Sequence, residues 1–227
     1  MAETNKKQGA PAAVEAQSQN EVSILKYKNQ IIGAVVAVLV IVAGYSFWKY
    51  TTANTFQEAS TKMAKAQEYF SQAVMADDAA LFEKALNGDS INAGFLAIAN
   101  DYSGKAANVA NLYAGICKAR LGNMEEAAKY IDKFDGDDQM VAPTAIAALG
   151  NIKASLGQLD EAVSILKKAA AKADNIALSP QFLIQAGEIL ESQGKKDEAL
   201  KLYEQIRDEY QEWVRYNSID NYIERVK

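Results

Sequence analysis

Side chains able to do chemistry are sparse along these 227 residues: there is no histidine, and Cys117 is the sole cysteine. The missing imidazole removes the group most used for proton transfer near neutral pH and the commonest transition-metal ligand. A single cysteine leaves no internal disulfide and no CxxC metal or redox pair. Cys117 stands in Gly115-Ile116-Cys117-Lys118 on a helical pattern. With no histidine base to activate a thiolate, it reads as a small buried hydrophobe. The densest acidic cluster is Asp135, Asp137 and Asp138 in FDGDDQ. It lacks the D-x-D-x-D-G-x5-E order of an EF-hand and reads as a solvated loop. No catalytic residue, no cofactor site and no metal-ligand set is expected, so the chain is not read as an enzyme.

Charge narrows the partners. Five of the 24 basic residues and three of the 29 acidic ones precede residue 50, leaving 19 and 26 beyond it, a net of −7. That acidic balance without a basic stripe argues against nucleic acid, whose phosphates need clustered Lys and Arg. Only 3 prolines and 13 glycines in an Ala-rich chain point to helices almost throughout.

Three segments share one register: LYAGICKARLGNMEEAAKYI from Leu112, AALGNIKASLGQLDEAVSIL from Ala147 and IQAGEILESQGKKDEALKLY from Ile184. Each carries G-x6-G, at Gly115/Gly122, Gly150/Gly157 and Gly187/Gly194. Alanine follows five residues later at Ala127, Ala162 and Ala199, each after a glutamate. A mid-helix glycine costs about 1 kcal/mol against alanine, so its recurrence predicts close helix crossings. The second glycine suits a left-handed C-cap, and the small alanine lets the second helix press on the first. Glu125-Glu126, Asp160-Glu161 and Asp197-Glu198 fall in a first turn, where they complement the helix dipole. Pro143 and Pro180 each precede the mid-helix glycine by seven residues, and Ser179 reads as an N-cap before Pro180.

These Gly, Gly and Ala positions resemble the tetratricopeptide repeat family over residues 108–206, in helical hairpins with slightly long spacing and no proline after the second helix. The resemblance implies a peptide groove lined by the first helix of each hairpin. Its residues are then Leu112, Ile116 and Arg120, followed by Ala147, Asn151 and Ser155, then Ile184, Glu188 and Glu191. Relatives that clamp a C-terminal carboxylate use paired lysines and asparagines; only Asn151 and Arg120 match, so such a clamp is not expected. The mixed apolar and acidic lining suits apolar or basic segments.

Around the repeats, residues 49–107 read as a helical extension with degenerate first hairpins. Ala59, Met63, Ala66, Tyr69, Phe70 and Ala73 make a helical stripe, with short helices over Ala79–Leu86 and Phe95–Tyr102. At the far end, residues 207–227 read as a cap, where Ile219, Tyr222, Ile223 and Val226 with Trp213 close the open apolar end.

Residues 1–30 form a polar tail. Ile31 to Phe47 then run 17 residues without a charge, extended by Trp48, and ten are Ile, Val, Leu or Phe. At roughly −0.3 to −0.6 kcal/mol each they favour bilayer insertion by about 3 to 6 kcal/mol. Tyr45, Trp48 and Tyr50 suit one interface; Lys26, Tyr27 and Lys28 suit the other. The rivals are a cleaved signal peptide, against which the long lead-in and missing A-x-A site count, and a buried core helix. A retained transmembrane helix at 31–48 is the expectation. Lys26 and Lys28 on one side and Lys49 on the other nearly balance, so charge leaves the orientation open. Gly33 and Ala37 form a small-xxx-small pair that could seat a partner helix.

The full order is all-α: a single N-terminal transmembrane helix, then a tetratricopeptide-type α-solenoid with a C-terminal capping helix. Together with GFLAIANDYSGKAANVANLYAGICKARLG at 94–122, it resembles the YfgM-like bacterial proteins. That resemblance implies a single-pass inner-membrane protein with a cytoplasmic N-terminus and a periplasmic repeat domain. It also implies partners among Sec translocon subunits, a membrane-anchored peptidyl-prolyl isomerase, and chaperones or client peptides. A general membrane-tethered scaffold in envelope assembly or cell division is the alternative.

Overall fold

The computed structural model describes residues 12–227, with side-chain surroundings for 37–53 and 55–227. The chain divides into two compact units, Met1–Asn54 and Thr55–Lys227. The first helix, α1, spans Ala12–Ala76. In the first unit its residues 37–53 are all exposed, including Val38, Leu39, Val40, Ile41, Phe47 and Trp48. The expected membrane-spanning segment lies partly outside the residues so described. Among the described residues, no helix is long and apolar enough to cross a membrane. Gly33 also lies outside them; Ala37 is exposed.

In the second unit, residues 55–76 of α1 lead into α2 (Ala79–Asn87), α3 (Phe95–Asp101) and α4 (Gly104–Arg120). The stripe inferred from period 3.6 faces inward: Ala59, Met63, Ala66 and Ala73 are buried in one core with Phe82, Phe95, Ile98 and Cys117. Aromatic rings fasten it. Phe95 and Tyr113 stack with centroids 4.8 Å apart, and Phe70 meets Tyr113 edge-on at 5.0 Å. Such pairs add about 0.5–1.5 kcal/mol beyond their buried area.

Three hairpins follow: α4 with α5 (Met124–Ile131), α6 (Val141–Ser155) with α7 (Leu159–Ala173), and α8 (Ser179–Ser192) with α9 (Lys196–Glu209). Their glycines act as the register predicts. Gly122, Gly157 and Gly194 have φ of +81°, +76° and +74°. At each turn two backbone bonds close the helix, as in Gly122 N–H to Ala119 O at 3.0 Å and Asn123 N–H to Lys118 O at 2.9 Å. The same pair recurs at Gly157/Gln158 and Gly194/Lys195, which makes all three turns Schellman motifs. Gly115, Gly150 and Gly187 sit at crossings where an added Cβ would meet Ile131, Leu166 and Tyr203. Ala127, Ala162 and Ala199 are fully buried opposite them.

The C-terminal end is sealed by α10 (Gln211–Val214) and α11 (Ile219–Val226). Ile219, Ile223 and Val226 are buried in the cluster that holds Leu202, Tyr203 and Ile206 of α9, with Trp213 packed on it. One local reading needs correction. Ser179 is not an N-cap: it is the first residue of α8, and its buried hydroxyl donates to Ala170 O at 2.8 Å while accepting from Asn175 N–H at 3.1 Å. Asn175 Oδ1 accepts from Ala177 and Leu178 N–H instead, giving the chain its turn into α8. FDGDDQ is a loop whose Asp135, Asp137 and Asp138 are exposed, as expected, and one of them has a further task. Asp138 Oδ1 accepts from Met140 and Val141 N–H at the start of α6, and those two bonds hold its carboxyl below the usual aspartate range.

Candidate functional site

The first helices of the first two hairpins, α4 and α6, leave an apolar cavity of about 300 Å³ between them. Leu112 and Ile116 of the expected groove form its α4 wall; Val141, Thr144, Ala145 and Ala148 form the α6 wall, with Met140 at its edge. Met140 and Val141 are exposed, so apolar surface stays open to solvent there. The helical spacing puts 141, 144/145 and 148 on one face of α6, one turn after another. The second hairpin's expected groove residues Ala147, Asn151 and Ser155 lie elsewhere: Ala147 is buried in the core shared with α8. Asn151 and Ser155 are exposed. Asn151 Nδ2 donates to Gln185 Oε1 of α8 at 3.1 Å, and the Ser155 hydroxyl donates to its own helix at Asn151 O.

Further along, Ile184 packs partly into the C-terminal core. Glu188 is exposed, with Arg225 of α11 at 4.0 Å. Glu191 is committed to the seal: Arg225 Nε and Nη2 donate to its two oxygens at 2.8 and 2.7 Å, and Tyr203 OH donates at 2.5 Å. A two-pronged guanidinium contact of this kind is among the stronger charge pairs. At the opposite end Arg120 turns toward Asp77, 3.7 Å away, with its guanidinium 5.9 Å from the Phe82 ring centroid. Glu191 therefore belongs to the C-terminal seal and Arg120 faces Asp77, while Leu112 and Ile116 meet in the cavity. Met140, Val141, Thr144 and Ala145 escaped the sequence register because they lie in the turns before its first aligned position, Ala147, whereas Ala148 falls inside the aligned segment, one residue past the position expected to line the groove. Their signal was the apolar spacing of Val141, Ala145 and Ala148 after a loop.

The electrostatics of the seal have a pH consequence. Arg225 first, and then the Tyr203 hydroxyl, hold the Glu191 carboxyl below the usual glutamate range, partly offset by desolvation. A carboxyl depressed on folding contributes stability above its unfolded pKa, about 4.3, and loses it as pH falls through the folded value. Urea midpoints measured from pH 7 down to pH 3 should therefore drop more steeply for the wild type than for Glu191→Gln. Parallel curves would refute this role. Elsewhere, burial pushes the Cys117 thiol up to about 12, so the lone cysteine stays protonated and inert near neutrality. No group of three or more His, Cys, Asp or Glu placed to hold a metal occurs among the described residues.

Comparisons with known proteins agree with this geometry. A family model described as a tetratricopeptide repeat-like domain matches residues 25–220. No curated protein matches the chain. Among solved structures, TPR-like repeats assigned to a kinesin light chain of Podosopora anserina are similar at 13% identity and a TM-score of 0.49, covering 66% of this chain and 73% of that one. Their Q17M variant is similar at 13% identity and a TM-score of 0.50, covering 74% of this chain and 92% of the other. At such identity the likeness concerns the fold alone. Repeats of this kind typically serve as non-catalytic scaffolds for protein partners. With its three glycine-closed hairpins and a family match across most of its length, the chain belongs to the tetratricopeptide repeat-like domain family.

Proposed function

We propose that this protein is a membrane-anchored binding module whose repeat domain captures other proteins in the α4–α6 groove. The observation that carries this reading is the open apolar cavity walled by Leu112, Ile116, Val141 and Ala145. Concave, mostly apolar sites of this size are where ligand side chains gain most by leaving water. The anchor is residues 31–48: Val38 to Val42 are each more than half exposed, an arrangement costly in water and favourable in a bilayer.

The resemblance to YfgM-like proteins supports a finer reading. The repeat domain lies on the periplasmic face of a bacterial inner membrane, beside the Sec translocon. There it recruits chaperones, a membrane-anchored peptidyl-prolyl isomerase or emerging clients, in part through Gly33 and Ala37 of the membrane helix. Copurification from detergent-solubilised membranes tests it: a translocon or chaperone partner should come down with the full chain, and recovery of neither would sink the secretion role. Protease added to intact spheroplasts should digest residues 55–227; their protection would overturn the periplasmic placement. The alternative, a general membrane-tethered scaffold, is favoured by the groove lying wholly within Thr55–Lys227. Removing residues 1–54 separates the two, since a scaffold keeps its groove partners while contacts through the membrane helix vanish.

A further inference from the structure

We propose that a second cleft, left open where α5 stops short, docks a short acidic amphipathic segment of another protein. Comparing the hairpins with one another exposes the vacancy. The second helices α7 and α9 run 15 and 14 residues, whereas α5 runs only 8. In the register that aligns Gly150 with Gly187, Ala145 and Ile146 of α6 correspond to Phe182 and Leu183 of α8. Phe182 and Leu183 are buried beside Ala169, Ala170 and Ala173, the last turns of α7. The turns of α5 that would cover α6 in the same way do not exist. A cleft of about 380 Å³ opens there instead, with Ile146, Leu149, Ile165 and Phe134 among its apolar lining.

The chain does not fill that space itself. After Ile131 the backbone is drawn toward α4, where Asn108 Nδ2 donates to Asp135 O at 2.7 Å and Asn108 Oδ1 accepts from Asp135 N–H at 2.6 Å. That two-bond latch fixes the loop at the rim of the cleft, with Asp138 capping α6 beyond it. What covers the equivalent surface in the next hairpin is two turns of helix, so a helical segment from a partner is the occupant of matching shape. Charge selects its chemistry. Lys168 and Lys172, one turn apart on α7, line the cleft, and neither makes an ion pair among the described residues. Asp132 and Asp135 line the other side, at α5's end and in the loop, and make no ion pair with the lysines. A segment with apolar residues on its inner face and glutamates along its α7-facing flank therefore meets two free ammonium groups; a basic flank there meets repulsion. This site is separate from the α4–α6 groove: the two cavities share only Ala145.

The full-length chain in detergent micelles provides the test, with fluorescence anisotropy of a labelled 14-residue helical peptide bearing leucines on one face and glutamates on its flank. A counterpart with lysines in place of the glutamates should bind at least about tenfold more weakly. Lys168→Glu with Lys172→Glu should weaken the glutamate peptide about tenfold or more and reverse the preference. Both lysines are exposed, so this variant should keep the wild-type circular dichroism melt. Partition of peptide into micelles is untouched by the substitutions and drops out of the comparison. Thr144→Arg, which blocks the groove, should leave peptide binding within about twofold. Equal binding of both peptides, or indifference to the lysine reversal, would overturn the proposal. So would loss of binding in Thr144→Arg, which would place the peptide in the groove. Binding of laurate but not peptide would replace the helical segment with an acyl chain.

Discussion

Removal of residues 218–227 will unfold the last hairpin at ordinary temperature, with a loss of about 5 kcal/mol or more from the repeat domain. The segment carries Ile219, Ile223 and Val226, all buried against α9. Burying an aliphatic side chain contributes roughly 1.5–3 kcal/mol, so three of them account for most of that figure. The charge seal goes with them, because Arg225 bonds both Glu191 oxygens and its loss leaves the Tyr203 hydroxyl on Oε1. A domain is usually stable by only 5–15 kcal/mol, so the loss consumes much of the total. In a solenoid the damage is local, since each hairpin contacts its neighbours only. Hydrogen exchange should therefore accelerate through α8 and α9 while amides of α4 stay protected. Unchanged protection in α8–α9 would show that α11 is ornamental. Ile223→Ala, at about 3 kcal/mol, gives a milder version that preserves the fold for measurement.

Gly115→Val should cost about 3 kcal/mol or more, a larger effect than a substitution at the Gly150 crossing. A Cβ at Gly115 would lie 3.0 Å from Ile131 N and 3.1 Å from Ala127 O, besides striking the Ile131 side chain. Backbone cannot rotate away as a side chain does, so α4 and α5 must separate. At Gly150 the nearest atom is Leu166 Cγ at 2.9 Å, and the close contacts are all side-chain atoms that can shift. Gly150→Ala should accordingly cost less. Gly122→Ala is the informative control: an added Cβ meets nothing within 4 Å, and only its φ of +81° opposes the change, at about 1–2 kcal/mol. Urea denaturation of the three variants should rank Gly115→Val well below the other two. Equal midpoints would mean that the glycine marks a helix-propensity accident rather than a crossing.

Much of this architecture was readable because its key positions are small residues with steric jobs. A glycine that must take positive φ, a glycine under a neighbouring side chain and an alanine facing it leave a spaced signature that helical period alone lacks. The stripe from Ala59 to Ala73 and the α11 face were legible for the same reason: they bury one side of a helix. What escaped was set by contacts distant in sequence. Glu191 looked like a groove acid, yet Arg225, 34 residues later, claims it. Arg120 is drawn back to Asp77 across the first hairpin boundary. The early end of α5 was hidden because Asn108 on α4 decides where Asp135 goes. The cavity was half visible: Leu112 and Ile116 fell within the aligned repeat, whereas Met140 to Ala145 preceded it.

Photo-crosslinking in living cells addresses the groove most directly. A photoreactive side chain replacing Thr144, exposed on the α6 wall, should yield a discrete adduct with another protein. The same group at Lys201, exposed on α9 outside the cavity, should not yield that adduct. Adducts absent at 144, or identical from both positions, would contradict the account of this repeat domain as a groove-based binding module.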